Sequence, residues 1–329
     1  VHDIVAGLQA TAFIPSSPNH GIEHVRKQIG VENGIAVGAM TGFAQDYEDS
    51  EPGYGNYVMA YYTGEELECY HQLAHDHTVC DHWFAAFPGG TWPNRWATLS
   101  GSAPDIYNLE FDDPRIGFLE GPTIFDVLST YGVEWRVYES DLTLVRTYNK
   151  YRLDTTHILP FKNRYDDSQS FEQVAKNGGL KAVTFVEPNF RDIPPLSTAS
   201  DDLAPADVLH GQRFIRSVVN ALRASPKWDR TMLVITYDEH GGFYDHVAPP
   251  GTLRGPPEWL GKVPQLNPTL EPASNYMGVR VPALIVSPMA AKGGVCKQIF
   301  DHCSIIKTIL LRHRNRFPTS VFTQFGARV

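Results

Sequence analysis

From residue 121 onward, apolar and polar positions fall into alternating helical and extended runs. GPTIFDVLSTYG (121–132) has apolar residues at helical spacing and ends at Gly132, and VEWRVYES (133–140) follows as a strand. KAVTFVEP (181–188) predicts a second strand, stopped by Pro188. PADVLHGQRFIRSVVNALRASP (205–226) predicts a long helix that stops at Pro226. TMLVITYDEHGG (231–242) and RVPALIVSP (280–288) predict a third and a fourth strand, and DHCSIIKTILLRH (301–313) a closing helix. Strands rich in Val and Ile that alternate with helices predict an α/β fold with a buried, mainly parallel sheet.

Residues 1–120 are less regular and rich in aromatics, and 248–278 is a Pro- and Gly-rich stretch that reads as a long surface excursion, a kind of loop often tied to function. No internal repeat and no linker divides the chain, so one domain spanning 1–329 is expected. With 329 residues, 42 % of them hydrophobic, there is ample chain for a sizeable core. The 28 Lys and Arg against 37 Asp and Glu leave a net charge of -9, which argues against a nucleic-acid binder. No apolar run approaches the roughly 18–20 residues of a membrane span. The sequence begins at Val1, and VHDIVAGLQATAFIPSS lacks the basic start and apolar core of an export signal. Cys69, Cys80, Cys296 and Cys303 form no CxxC, leaving one or two disulfides or buried thiols open.

The strongest chemical signal is TYDEHGGFYDHV (236–247). A strand ends and at once presents Asp238, Glu239 and His240, then Gly241 and Gly242, then Asp245 and His246. In open α/β sheets ligands bind outside the carboxyl ends of strands, and adjacent carboxylates there suit a hard divalent cation. The second signal is FPGGTWPNRW (87–96): a tight turn leads into Thr91 at the start of a helix, where free backbone N–H groups favour anions and Asn94 and Arg95 are placed to reach a bound oxyanion. His20 in PNHGIEHV (18–25), His302 in FDHCSI (300–305) and Glu187 with Asn189 in FVEPNF (185–190) are weaker candidates. The His75, His77 and His82 of HDHTVCDHW match no standard metal spacing.

The segments PNHGIEHV, VCDHWFAAFPGGTWPNR, FVEPNF, SPKWDRTMLVITYDEHGGFYDHVAPP, GVRVPALIVSP and FDHCSIIKTIL run through almost the whole chain. Together they resemble the phosphoesterase family of bacterial non-zinc phospholipases C and related acid phosphatases, within the alkaline-phosphatase-like superfamily. The resemblance implies a three-layer α/β/α sandwich and metal-assisted phosphoryl transfer. It makes Thr91 nucleophile and metal ligand, Asp238 and Glu239 metal ligands, His20 a contact to substrate phosphate, and His302 a residue at the edge of the site. One divalent ion is implied, with Ca, Mg, Mn, Fe or Zn all open.

A metal-bound Thr91 hydroxyl would attack phosphorus in line, helped by Asn94 and backbone N–H groups, to give a phospho-threonine that water then hydrolyses. A histidine would move the proton, with His20, His240 and His302 as candidates. The expected substrate is a phosphate ester. TWPNR with Thr points to phospholipase C-type cleavage of a phosphodiester, and Trp83, Phe84, Phe87, Trp92 and Trp96 are candidates to hold a quaternary ammonium head group. An acid phosphatase and a non-catalytic phosphate-binding module are the alternatives.

Two departures stand out. The family's opening ENRSFDH motif, at the end of its first strand, is absent, and SDDLAPADV (200–208) has Leu203 and Ala204 where a His is common. Asp201, Asp202 or a histidine from elsewhere is the expected substitute. A secreted or periplasmic protein is expected, with an export signal and a strand ending in Glu-Asn on about 50–120 residues before Val1.

Overall fold

The computed structural model describes residues 14–104, 118–191, 198–264 and 275–325. Helix α1 (Ile22–Ile29), the hairpin of β1 (Val31–Glu32) and β2 (Ile35–Ala36), and α2 (Phe43–Ser50) come first. Then follow α3 (Glu68–Asp76), β3 (Thr78–Cys80), α4 (Thr91–Ser100) and α5 (Ile124–Thr130). The middle holds β4 (Trp135–Glu139), β5 (Ile158–Pro160), α6 (Phe171–Lys176), β6 (Val183–Glu187) and α7 (Val208–Arg223). β7 (Leu233–Thr236), β8 (Ala283–Val286), β9 (Gly294–Cys296), α8 (Cys303–Arg312) and α9 (Thr319–Gln324) close the order.

One sheet, β5-β4-β6, is parallel throughout, with Val137 opposite both Ile158 and Phe185. The other, β7-β8-β3-β9, is mixed: β8 runs antiparallel to β7 and β3, while β3 and β9 are parallel. The expected fourth strand is therefore present but reversed. A parallel return needs a crossover, usually a helix. Between β7 and β8 the described residues contain only one short 3-10 turn, so the chain re-enters the sheet in the opposite direction.

Side-chain alternation explains the layers. Trp135, Val137, Val183 and Phe185 meet α4, α5 and α8 on one face, while Tyr138, Leu159 and Val186 meet α6 and α7 on the other. In the mixed sheet, Val79, Leu233, Leu284 and Val286 pack on α3 and α7, and Val234, Ala283 and Ile285 pack towards Ile305 of α8. Helices α7 and α8 thus span both sheets, and the result is an α/β/α sandwich. Helix α7 is amphipathic, as its spacing predicts, and Asp207 caps it by accepting from the Leu209 amide at 2.9 Å. Strands β6 and β7 are the end strands of their sheets, and both pack beneath α7 through Val186 and Leu233.

Helices α1 and α2 build a separate cluster with Phe243, Tyr244, Ala248, Tyr276 and Val279 beyond the end of β7. The Pro- and Gly-rich stretch is accordingly not a plain surface excursion. Its two ends are buried, and Gly251 at φ +91° lies so close to Tyr276 that a Cβ would sit 2.7 Å from the Tyr276 Cα. The middle of that stretch, 265–274, lies outside the described residues, as do residues 1–13.

Candidate active site

Gly90 is the N-cap of α4 and Thr91 its first helical residue. The turn before it is held by Asn94, which is fully buried. The Asn94 Oδ1 accepts from the Phe87 amide at 2.8 Å, and its Nδ2 donates to the carbonyls of Phe87, Gly89 and Gly90 at 3.1 Å each. The sequence places this amide on an oxyanion. The structure spends it on the loop instead, so Asn94 positions Thr91 and presents no donor to the cleft. The aromatic candidates are also reassigned: Trp83, Phe84, Phe87 and Trp96 are core residues, and only Trp92 keeps part of its surface.

The DEHGG segment leaves β7 and folds back on itself. Gly241 (φ +64°) donates its amide to Glu239 Oε2 at 2.6 Å. Gly242 (φ +78°) lies against the N-terminal loop, where a Cβ would stand 2.6 Å from Pro18 Cβ and 2.8 Å from the Asn19 carbonyl oxygen. Only glycine fits both the left-handed conformation and that approach. The contact brings in His20. Its Nδ1 donates to the Pro18 carbonyl at 2.7 Å, which leaves Nε2 facing Glu239 Oε1 at 3.8 Å.

Glu239 is 6 % exposed. Burial, reinforced by the charge of Asp238, holds its carboxyl above the usual carboxylate range despite the opposing pull of His20. His240 takes a different part from the one expected. Its Nε2 lies 2.8 Å from Gln28 Oε1, its ring stands edge-on to Phe43, and burial, with help from His20, lowers its pKa to about 3. It is a neutral, enclosed imidazole and not a proton donor near pH 7. His302 is likewise enclosed, at 1 % exposure. Its Nδ1 accepts from Trp83 Nε1 at 3.2 Å, so its Nε2 carries the proton and donates to the Asp238 carbonyl oxygen at 2.7 Å. It anchors the backbone of Asp238 from behind the loop.

Arg95 follows Thr91 by one turn of α4. Its guanidinium pairs with Glu187 at the end of β6 and lies over the Phe190 ring at 4.8 Å. Burial opposes its charge, yet Glu187, Asp238 and Asp201 together hold its pKa above the ordinary value. Asp201 sits in the same field. Burial raises its carboxyl to about 6, outweighing backbone hydrogen bonds, and Asp238 adds to the rise. Asn189, by contrast, spends its amide on the Arg191 and Thr198 carbonyls. His77 bonds the Ser287 carbonyl and faces Arg223, a structural role.

The structure therefore gathers Glu187, Arg95, Asp201, Asp238, Glu239 and His20 at the ends of β6 and β7, with Thr91 on the same helix as Arg95. Asp238 and Glu239 fit a hard divalent cation in donor type and charge: adjacent carboxyls, one of them destabilised as an anion by burial and by its neighbour, are what a cation relieves. They would supply two ligands. Among the described residues no group of three or more His, Cys, Asp or Glu converges on a metal position. The residue that sequence reasoning missed is Gln28, whose part depends wholly on tertiary contact.

The profile of the Phosphoesterase family matches residues 2–314. Non-specific phospholipase C1 of Arabidopsis thaliana is 34 % identical over 311 residues, covering 90 % of this chain and 56 % of the relative. Non-specific phospholipase C6 of the same plant is 31 % identical over 310 residues, covering 90 % and 57 %. The chain thus spans a little over half the length of these relatives. Among solved structures, a protein in the alkaline phosphatase superfamily from Vibrio parahaemolyticus aligns with TM-score 0.42 and 14 % identity, covering 74 % of this chain and 59 % of the other. No helix among the described residues is long and apolar enough to cross a membrane.

Proposed function

The chain belongs to the Phosphoesterase family, and from that premise we propose that it hydrolyses a phosphate ester by phospholipase C-type cleavage, with Thr91 as nucleophile. The observation that carries this reading is Arg95. One turn from Thr91, it is tied to Glu187 and lies in the field of Asp238, which joins the start of α4 to the carboxylate end of β7. The names of the two plant relatives support the diester over the monoester.

In this mechanism the Thr91 oxygen forms a bond to phosphorus while the bond to the leaving oxygen breaks, giving phospho-threonine and a free alcohol; water then cleaves the Thr91–phosphate bond. Asn94 holds the turn from which Thr91 starts α4, where unpaired backbone amides favour an anion. His20, with Nδ1 committed to Pro18, offers only Nε2 to the phosphoryl group or to the proton in transit. A divalent cation, held by Asp238, Glu239 and the Thr91 hydroxyl, would supply charge neutralisation and a lowered hydroxyl pKa.

Export is part of the same reading and rests on the family alone, since Cys69, Cys80 and Cys296 are free thiols.

Turnover of p-nitrophenyl phosphorylcholine and of p-nitrophenyl phosphate, with metal analysis, tests the reading. Thr91→Ala is expected to abolish hydrolysis with the fold intact, and Thr91→Ser to keep part of it. Wild-type activity in Thr91→Ala refutes the mechanism. Exclusive turnover of the monoester makes the protein a phosphatase, and turnover of neither makes it a binding module.

A further inference from the structure

We propose that Gln28, in α1, is the positioning residue that holds the Glu239–His240 turn and the His20 loop in one register. Its side chain is 1 % exposed. Both amide protons are used: Nε2 donates to the Asn19 carbonyl at 2.7 Å and to Asp46 Oδ2 at 2.9 Å. Oε1 is left to accept from His240 Nε2 at 2.8 Å. The flipped amide would set one oxygen against two acceptors, so the orientation is unique. Asp46 enforces it. This buried carboxylate also meets His24 Nδ1 at 2.9 Å and lies 3.5 Å from Lys27 Nζ.

Two consequences follow for the site. His240 must carry a proton on Nε2, with Nδ1 standing 3.7 Å from Glu239 Oε2. Asn19 is pinned immediately before His20, whose own free nitrogen faces the other oxygen, Glu239 Oε1. Two imidazoles thus address the two oxygens of one carboxyl, and Gln28 sets both. The approach of α2 makes this possible. A Cβ on Gly42 would stand 2.1 Å from the Lys27 carbonyl oxygen and 3.0 Å from Gln28 Cα, and Asp46 lies one turn further along. The kinetic consequence rests on the phosphoesterase reading; the tautomer does not.

The test is long-range 1H–15N NMR of the 15N-labelled full chain, with the His240 signals identified by their loss in His240→Gln, alongside diester kinetics. The wild type is expected to show one His240 tautomer, protonated on Nε2. Gln28→Met is expected to lose that single tautomer and to lower kcat on the order of 10–100-fold, the scale for residues that orient a ligand set, with KM little changed. Gln28→Glu sets two buried carboxylates in contact and is expected to do the same or worse. Adding Asp46→Asn lets residue 46 donate to residue 28, and is expected to restore the tautomer and part of kcat. A wild-type His240 protonated on Nδ1 overturns the proposal, whether or not any variant folds. So does a folded Gln28→Met with the wild-type tautomer, or with wild-type kcat, and so does a double variant no better than Gln28→Glu. If the wild type turns over neither ester, the phosphoesterase reading fails, and the tautomer still decides the role of Gln28.

Discussion

Truncating Asn94 to alanine separates a residue that builds the nucleophile's turn from one that binds the substrate. In the folded protein its amide makes four hydrogen bonds to the backbone of 87–90. The Phe87 carbonyl keeps a partner in the Gly89 amide at 2.9 Å. The Phe87 amide, however, loses the Asn94 acceptor in a buried setting, at a cost of about 1–3 kcal/mol. The bonds donated by Nδ2 contribute about 1 kcal/mol net, since one amino group served three carbonyls that water can partly rescue. Asn94→Ala is therefore expected to destabilise the protein by about 2–4 kcal/mol in urea unfolding. Released from its clamp, the turn lets Thr91 drift, and displacement of about 1 Å costs on the order of 10²-fold in turnover. An amide whose work was to hold a phosphoryl oxygen would behave differently, with turnover lost and stability kept. An unchanged urea midpoint in Asn94→Ala, with or without activity, refutes the clamp.

Two further outcomes are expected. Gly242→Ala combines a left-handed backbone with a clash against Pro18 and Asn19, so it is expected to cost about 2–4 kcal/mol and to part His20 from Glu239; an unchanged thermal melt would mean that the loop does not rest on Pro18. Asp201, at about 6 in the fold against about 3.9 unfolded, makes the folded state bind more protons between those values, so stability is lost as pH rises through that window. Asp201→Asn is expected to exceed the wild type in urea stability at pH 7, with the gap closing by about pH 4, and parallel stability curves across that range would contradict it.

Much of this protein is legible in one dimension because the signals concerned are local. The α7 helix follows from apolar spacing and a Pro stop, and the β4 and β6 strands from short Val- and Ile-rich runs closed by turn residues. The Asp238–Glu239 pair is recognisable because a strand end, two carboxylates and two glycines are contiguous. Thr91 is placed at a helix start by the Pro-Gly-Gly turn before it.

What the sequence leaves open is whatever depends on which distant atom a polar side chain meets. The direction of β8 was decided by where the chain re-enters the sheet after β7, antiparallel to it, and the short β3, β5 and β9 are too brief to carry a period. Asn94, His240 and His302 each look like groups for a ligand. In the fold their hydrogen bonds go to a turn, to Gln28, and to Trp83 with the Asp238 carbonyl. Gln28 itself is an unremarked polar position in VRKQI until α2 crosses α1 at Gly42 and brings Asp46 beside it. An apolar pattern is set by which face is buried, and neighbours along the chain reveal it. A hydrogen bond needs one partner at one distance and angle, and here that partner comes from as much as 219 residues away.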